Sequence, residues 1–254
     1  MKQYGMVIDL RKCVGCGACA LACKTENNTS LRGNGQTHNW ADFIHETTGT
    51  FPHTKFRTLP VLCNHCSNAP CVEACPVEPK AMFKTADGIT MHNDERCIGC
   101  RACQDACPYS MDEVMKDGAS GEYSVISYNQ EGEPTQKFFT SKTEVIKKCS
   151  SSGAELVSLT KANPPYRHNY NHPDYENVRR DNIVEKCIFC DHRLKNNQQP
   201  ACVDACPSGA RVFGDLNDPG SEAAQLLNKD KGFVLKESEG TLPNVHYIRE
   251  YSAR

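Results

Sequence analysis

Sixteen of the 17 cysteines in this 254-residue chain fall into four tight quartets, and any fold it adopts must wrap its backbone around them. They are Cys13, Cys16, Cys19 and Cys23; Cys63, Cys66, Cys71 and Cys75; Cys97, Cys100, Cys103 and Cys107; and Cys187, Cys190, Cys202 and Cys206. The first and third share the spacing C-x2-C-x2-C-x3-C. Three quartets end in Cys-Pro, at Pro76, Pro108 and Pro207.

Three chemistries compete for such a pattern. Disulfides need Cα pairs about 4.4–6.8 Å apart with suitably directed Cβ atoms, and they staple short secreted domains. A chain of this length builds a core without staples. Structural zinc takes two C-x2-C pairs, but one tetrahedral ion has no use for a third cysteine so close. A [4Fe-4S] cubane does. Three thiolates of one loop cap three irons, and the fourth, expected at the start of a helix, reaches a neighbouring cluster. The third quartet with Pro108 is the full bacterial ferredoxin signature. The prolines end the loop's hydrogen bonding and fix φ. Four [4Fe-4S] clusters are therefore expected, with no three-iron or Rieske centre, because every ligand position is cysteine. His65, inside Cys63-Asn64-His65-Cys66, is expected to donate a hydrogen bond near a cluster sulfur instead of ligating. Cys149, in Lys147-Lys148-Cys149-Ser150, has no cysteine neighbour and reads as a bystander.

The formal net charge is −2 with thiols counted neutral. Sixteen thiolates and four oxidised cores bring the loaded chain to about −10, which excludes nucleic acid as a partner. Lys12, Arg96 and Lys186 each precede the first cysteine of a quartet. A cation there can offset cluster charge or can simply be solvated. No stretch reaches the ~20 apolar residues of a membrane span. The N-terminal residues show no export signal, so any export is expected to depend on a partner that carries one.

The gaps between quartets suggest how they pair. Quartets two and three are 21 residues apart, one and two 39, three and four 79. Two-cluster ferredoxins exchange their last cysteines and need a short connection. Quartets two and three thus form an inner unit, over 52–109. Its connection contains a hairpin, 81–85 and 89–92, turning at Asp87-Gly88. Quartets one and four then form an outer unit, over 1–51 and 183–217, with strands at 4–10 and 210–216 and a helix over 18–26. Sequential pairing, one with two and three with four, is the alternative. The fold class is α+β: two ferredoxin-like units, one nested in the other, with an inserted block over 110–182 and a C-terminal cover over 218–254.

Within the block, a short helix is expected at 111–116 and strands at 123–128 and 137–140. A Pro- and Tyr-rich arm follows at 163–173 and suits docking to a partner. In the C-terminal cover, Asp218 is expected to cap a helix over 222–227 with Pro219 at its first position. Strands are expected at 232–236 and 244–249. Gly15-Cys16-Gly17-Ala18-Cys19-Ala20 matches a dinucleotide fingerprint, but lacks the following βαβ unit and is rejected as one. No hydrolytic motif is present, so no catalytic residue is expected.

The chain resembles the four-cluster iron–sulfur subunits of the dimethyl sulfoxide reductase family of molybdopterin oxidoreductases. The stretches that carry the likeness are Met6–Leu10 through Cys23–Asn27, Cys63-Asn64-His65-Cys66 with Ala69-Pro70-Cys71, Cys97-Ile98-Gly99-Cys100 with Cys107-Pro108-Tyr109, Lys186–Leu194 with Pro200-Ala201-Cys202, Arg211–Leu216, and Tyr247-Ile248-Arg249. The resemblance implies a non-catalytic electron-transfer subunit. It implies a molybdopterin-containing catalytic subunit on one side and a quinol-oxidising membrane subunit or a cytochrome on the other. It also implies four ligand sets: Cys13, Cys16, Cys19 and Cys206; Cys187, Cys190, Cys202 and Cys23; Cys63, Cys66, Cys71 and Cys107; and Cys97, Cys100, Cys103 and Cys75. Such complexes work in the periplasm or on the outer face of the membrane, with the cytoplasm as the alternative. Cys23–Thr29 and Cys190–Leu194 look most like respiratory arsenate reductase subunits, with sulfur and selenium oxyanion reductases close behind. A free-standing soluble polyferredoxin is the competing reading.

Overall fold

The computed structural model describes residues 1–27, 29, 40–110, 125–129, 137–161 and 182–250. The expected helix at 111–116 and the arm at 163–173 lie outside these residues. Among them the fold is a mixture of short helices and four small sheets.

The strand β1 (Tyr4–Asp9) is the centre of the largest sheet. Met6, Val7 and Ile8 are fully buried on both of its faces, each contributing about 1.5–3 kcal/mol of burial. This explains an apolar run without alternation. On one side β8 (Arg211–Asp215) pairs antiparallel, with Met6 opposite Phe213. On the other side β9 (Val245–Ile248) pairs parallel, with Ile8 opposite Tyr247. The C-terminal strand thus extends this sheet. Buried Asp9 accepts from the Arg11 N–H at 3.0 Å and from Arg249 Nη1 at 2.7 Å, which ties the end of β9 to the end of β1.

The helix α1 (Ala18–Asn27) follows the first three cysteines. Next comes an antiparallel hairpin of β2 (Ala41–Thr48) and β3 (Lys55–Leu62), which the sequence does not lead one to expect. Pro60 within β3 argues against a strand, yet a two-stranded ribbon is all edge and tolerates it. The inner hairpin is present as β4 (Met82–Lys84) and β5 (Thr90–His92). Between them, Gly88 has φ +85°, as the Asp-Gly turn requires.

Four expectations need correction. The fourth cysteine of a quartet was expected to begin a helix. Instead α2 (Pro70–Glu73), α3 (Ala102–Ala106) and α6 (Ala201–Asp204) end just before Cys75, Cys107 and Cys206. The following proline disfavours helical backbone at the residue before it, and Cys107 is already extended at φ −81°, ψ 115°. Cys23 is followed by Lys24, so α1 runs straight through it. Residues 137–140 form a 3-10 helix, not a strand. The strand β6 (Ser127–Asn129) pairs instead with β7 (Ile183–Glu185). The 232–236 strand shrinks to one bridge, Phe233 with Tyr247, because Lys236 turns left-handed at φ +47°. Finally, α7 (Glu222–Lys229) begins after Ser221, not Asp218. The Asp218 carboxylate accepts from the Gly220 N–H at 2.8 Å and shapes the turn before the helix.

Among the described residues there are also a 3-10 helix at Glu237–Glu239 and two further α-helices. The helix α4 (Gly153–Thr160) starts with a capping box between Ser152 and Glu155, and α5 (Asp191–Leu194) follows Cys190.

The segment before β9 clamps the inner cysteine loops. Asn244 donates its N–H to Asn64 O at 2.9 Å and its amide to His65 O at 2.7 Å. Tyr109 meets Thr241 Oγ1 at 2.7 Å, and Lys236 Nζ donates to Pro108 O at 2.6 Å.

Candidate iron–sulfur sites

The first C-x-x-C loop of each quartet turns the same way. Their third residues, Gly15, His65, Gly99 and Phe189, have φ of +67°, +45°, +71° and +52°. Glycine adopts this backbone freely, while other residues are strained by about 1–2 kcal/mol. A Cβ on Gly99 would come within 2.1 Å of Asn182 O, so space also demands glycine there. His65 and Phe189 accept the strain and stack on each other, with ring centroids 3.6 Å apart and planes at 17°. That buried stack joins the second and fourth quartets. Neither loop contains glycine, so no sequence signal pointed to the shared turn.

The structure draws the cysteines into sets that mix quartets. Cys13, Cys16, Cys19 and Cys206 line one small cavity, with Ile8, Phe43 and Arg211. Cys63, Cys66, Cys71 and Cys107 line another. Cys75, Cys97, Cys100 and Cys103 line a third. Cys23 lies buried in mid-α1, where its closest thiol influences are Cys190, Cys187 and Cys202. No cysteine of the second quartet lines the cavity of the first. Cys149 is exposed and lines none of the three cavities.

Neighbouring sets touch electrostatically. The Cys103 thiol acts on Cys71, Cys63 on Cys187, and Cys202 on Cys19. Three junctions among four sets make a line. Cys16 and Cys100, one in each end set, are exposed. All four cysteines of the Cys23 set are buried, as are three of the four in the Cys63 set.

Burial dominates the thiol chemistry. It pushes Cys66 up to about 11, and Cys103 and Cys190 up to about 12. It raises Cys23 and Cys187 well above the usual thiol range, with neighbouring thiols adding to the effect. Two thiols depart the other way. Burial is the largest single influence on Cys97 and opposes its ionisation, but the hydrogen bond and charge of His92, with the Val184 and Gly99 N–H groups, together outweigh it and hold the thiol below its ordinary value. His92 itself is disfavoured as a cation by burial. Its bonds to Asp94, 2.7 Å away, and to Cys97 reverse this and lift it to about 9. Cys206 is lowered despite burial because the Arg211 and Ala210 N–H groups donate to it, the latter at 3.2 Å. Thiols held protonated by burial must lose protons to bind metal, so loading is favoured by rising pH.

The donor sets fit cubanes. Four thiols surround each of three similar cavities, and no three His, Cys, Asp or Glu side chains among the described residues converge as one metal ion requires. Backbone N–H groups point at sulfur, as at Gly99 to Cys97, 3.4 Å. His65 accepts the Thr90 N–H at Nδ1, so its proton sits on Nε2, which is buried with no protein partner. An orphaned donor at that depth suits a cluster sulfur. Burial, with Lys186 and Lys84 nearby, holds His65 neutral by lowering its pKa well below the usual range. Of the three cations that precede quartets, Lys12 and Arg96 are exposed, and Lys186 is 1 % exposed.

Comparison with known proteins agrees with this chemistry. The 4Fe-4S dicluster domain model matches residues 54–125 and 153–216, and a 4Fe-4S binding domain model matches 4–25. The arsenate respiratory reductase iron–sulfur subunit of Shewanella sp. (strain ANA-3) is 45 % identical over 99 % of this chain and 98 % of its own. A selenate reductase subunit from Mesobacillus selenatarsenatis is 34 % identical over 97 % of this chain and 72 % of its own. A tetrathionate reductase subunit from Salmonella typhimurium is 32 % identical over the same shares. The chain belongs to the family of iron–sulfur subunits of dimethyl sulfoxide reductase-type molybdopterin oxidoreductases, electron-transfer and not catalytic chains.

Proposed function

We propose that the chain relays single electrons through four [4Fe-4S] clusters in a respiratory arsenate reductase. It would connect a molybdopterin-containing catalytic subunit with a quinol-oxidising membrane subunit or a cytochrome. The observation that carries this reading is the full-length match to an arsenate respiratory reductase subunit.

In this reading Cys13, Cys16, Cys19 and Cys206 hold one cluster, and Cys23, Cys187, Cys190 and Cys202 the next. Cys63, Cys66, Cys71 and Cys107 hold the third, and Cys75, Cys97, Cys100 and Cys103 the fourth. Each cubane supplies a one-electron couple when bound. The chain supplies order, burial and access. Its thiol sets form a line, and the middle sets are shielded from water. Each end exposes a cysteine beside apolar side chains: Val14 and Leu21 near Cys16, and Ile98 near Cys100. Apolar groups exposed beside a redox site favour contact with partner chains.

The cavity compositions and the pairing of β1 with β8 support two ferredoxin-like units, the inner one nested within the outer. The block over 110–182 is the third partner contact in this reading. Its described part exposes Val145, Ile146 and Leu159. The complex would act on the outer face of the membrane, carried there by a leader-bearing partner. Among the described residues no helix is long and apolar enough to cross a membrane.

Native anaerobic purification tests the reading. A co-purifying chain that carries molybdenum or tungsten, with arsenate reduction by the complex, is expected. A stable, monodisperse monomer that serves several reductases would instead establish the free-standing polyferredoxin.

A further inference from the structure

Two buried cations in this chain have no carboxylate partner among the described residues. Lys186 is 1 % exposed, and its ammonium donates to the backbone carbonyls of Thr90 and Cys187, the latter at 2.6 Å. Arg211 is 3 % exposed, and its guanidinium donates from Nη1 to Met6 Sδ at 3.8 Å while its Nη2 is buried with no hydrogen-bond partner. A buried charge without a counterion is costly, so each position implies an anion close by. The exposed Lys12 and Arg96 carry no such implication.

Both cations lie against cluster-site residues of two different sets. Lys186 Nζ bonds the carbonyl of Thr90, which lines the cavity of the Cys63 set, and the carbonyl of Cys187 in the next set. Arg211 lines the cavity of the Cys13 set, and its charge favours ionisation of Cys202 in the consecutive set. Each cation therefore stands at a junction of the line, Lys186 at the middle one and Arg211 at the next.

We propose that Lys186 and Arg211 are shared counterions, each raising the reduction potentials of the two clusters that flank its junction. The inference rests on the relay reading. A fixed positive charge stabilises the electron wherever it resides on either side, so adjacent sites are lifted together and no deep step opens between them. At an effective dielectric constant of about 20, a unit charge at such range biases a one-electron reduction by about tenfold or more.

Potentiometric titration followed by electron paramagnetic resonance, on the anaerobically purified complex, tests this. In Lys186→Met the two middle clusters should become harder to reduce by about tenfold, equal to about 59 mV for a one-electron couple. The two end clusters should keep their potentials. Lys186→Arg, which keeps the charge, should restore both. In Arg211→Met the affected pair should move one place along the line, to the clusters of the Cys23 and Cys13 sets. If neutral variants lose iron at the flanking sites while Lys186→Arg retains it, the same charge requirement is read as occupancy. Unchanged potentials in Lys186→Met, an equal shift of all four, or failure of Lys186→Arg to restore the wild-type values would overturn the proposal. Four signals with no shift would refute the counterions and leave the relay standing. Fewer signals in the wild-type complex would count against the relay itself.

Discussion

A Cys71→Ser chain should lose one cubane, and its complex should stop turning over. Cys71 is 8 % exposed and lines the cavity shared with Cys63, Cys66 and Cys107. A serine hydroxyl there is a far poorer ligand than a thiolate, and iron should fall from about sixteen to about twelve per chain. Replacing a group that merely supports a ligand costs about 10–100-fold in affinity or activity, so loss of the ligand itself should exceed that. The location makes the effect general. In the proposed relay the set lies inside the line, between the Cys75 set and the Cys23 set, and a line offers no detour. Electron delivery from a quinol or cytochrome should fail even with an intact catalytic subunit. Cys149→Ser is the control: that thiol is exposed and lines none of the three cavities, and both iron content and turnover should be unchanged. Steady-state assays beside iron analysis check both variants. Normal turnover in Cys71→Ser would contradict a single-file relay.

The second large effect concerns which cysteines act together. Cys75→Ser and Cys100→Ser should erase the same paramagnetic signal, although Cys75 belongs to the second quartet. Cys23→Ser and Cys187→Ser should likewise erase one common signal, different from the first. Cys23 is close to Cys19 in sequence, yet the thiols that act on it most are Cys190, Cys187 and Cys202. If each quartet served its own cluster, Cys23→Ser would match Cys13→Ser instead. Spectra of reduced samples of the five variants distinguish the two assignments by which pairs coincide.

Much of this was legible because thiol spacing is local and chemically strict. The quartets, α1, the hairpin at Asp87-Gly88 and the antiparallel partners β1 and β8 follow from spacing, turn chemistry and apolar runs. What escaped depends on tertiary placement. The β2–β3 ribbon carries Pro60 and ends in exposed polar positions, so its period is blurred. Lys186 looks like any charged residue beside Glu185, and only packing shows it buried. His65 and Phe189 share a left-handed turn with Gly15 and Gly99 because stacking between distant loops offsets the strain. The helix ends were misjudged although the cause was in view: the prolines after Cys75, Cys107 and Cys206 stop a helix before they could follow one. The 3-10 helix at 137–140 reads as a strand because Phe138 and Phe139 favour one. The chain after it folds back beside it, and the Ala154 N–H bonds to Ser141 O at 3.0 Å.

The most direct measurement is the metal content of the anaerobically purified chain, counted per polypeptide. Four cubanes predict about sixteen iron with an equal quantity of acid-labile sulfide. Fewer than about twelve iron, or about four zinc with no iron absorbance, would contradict the account.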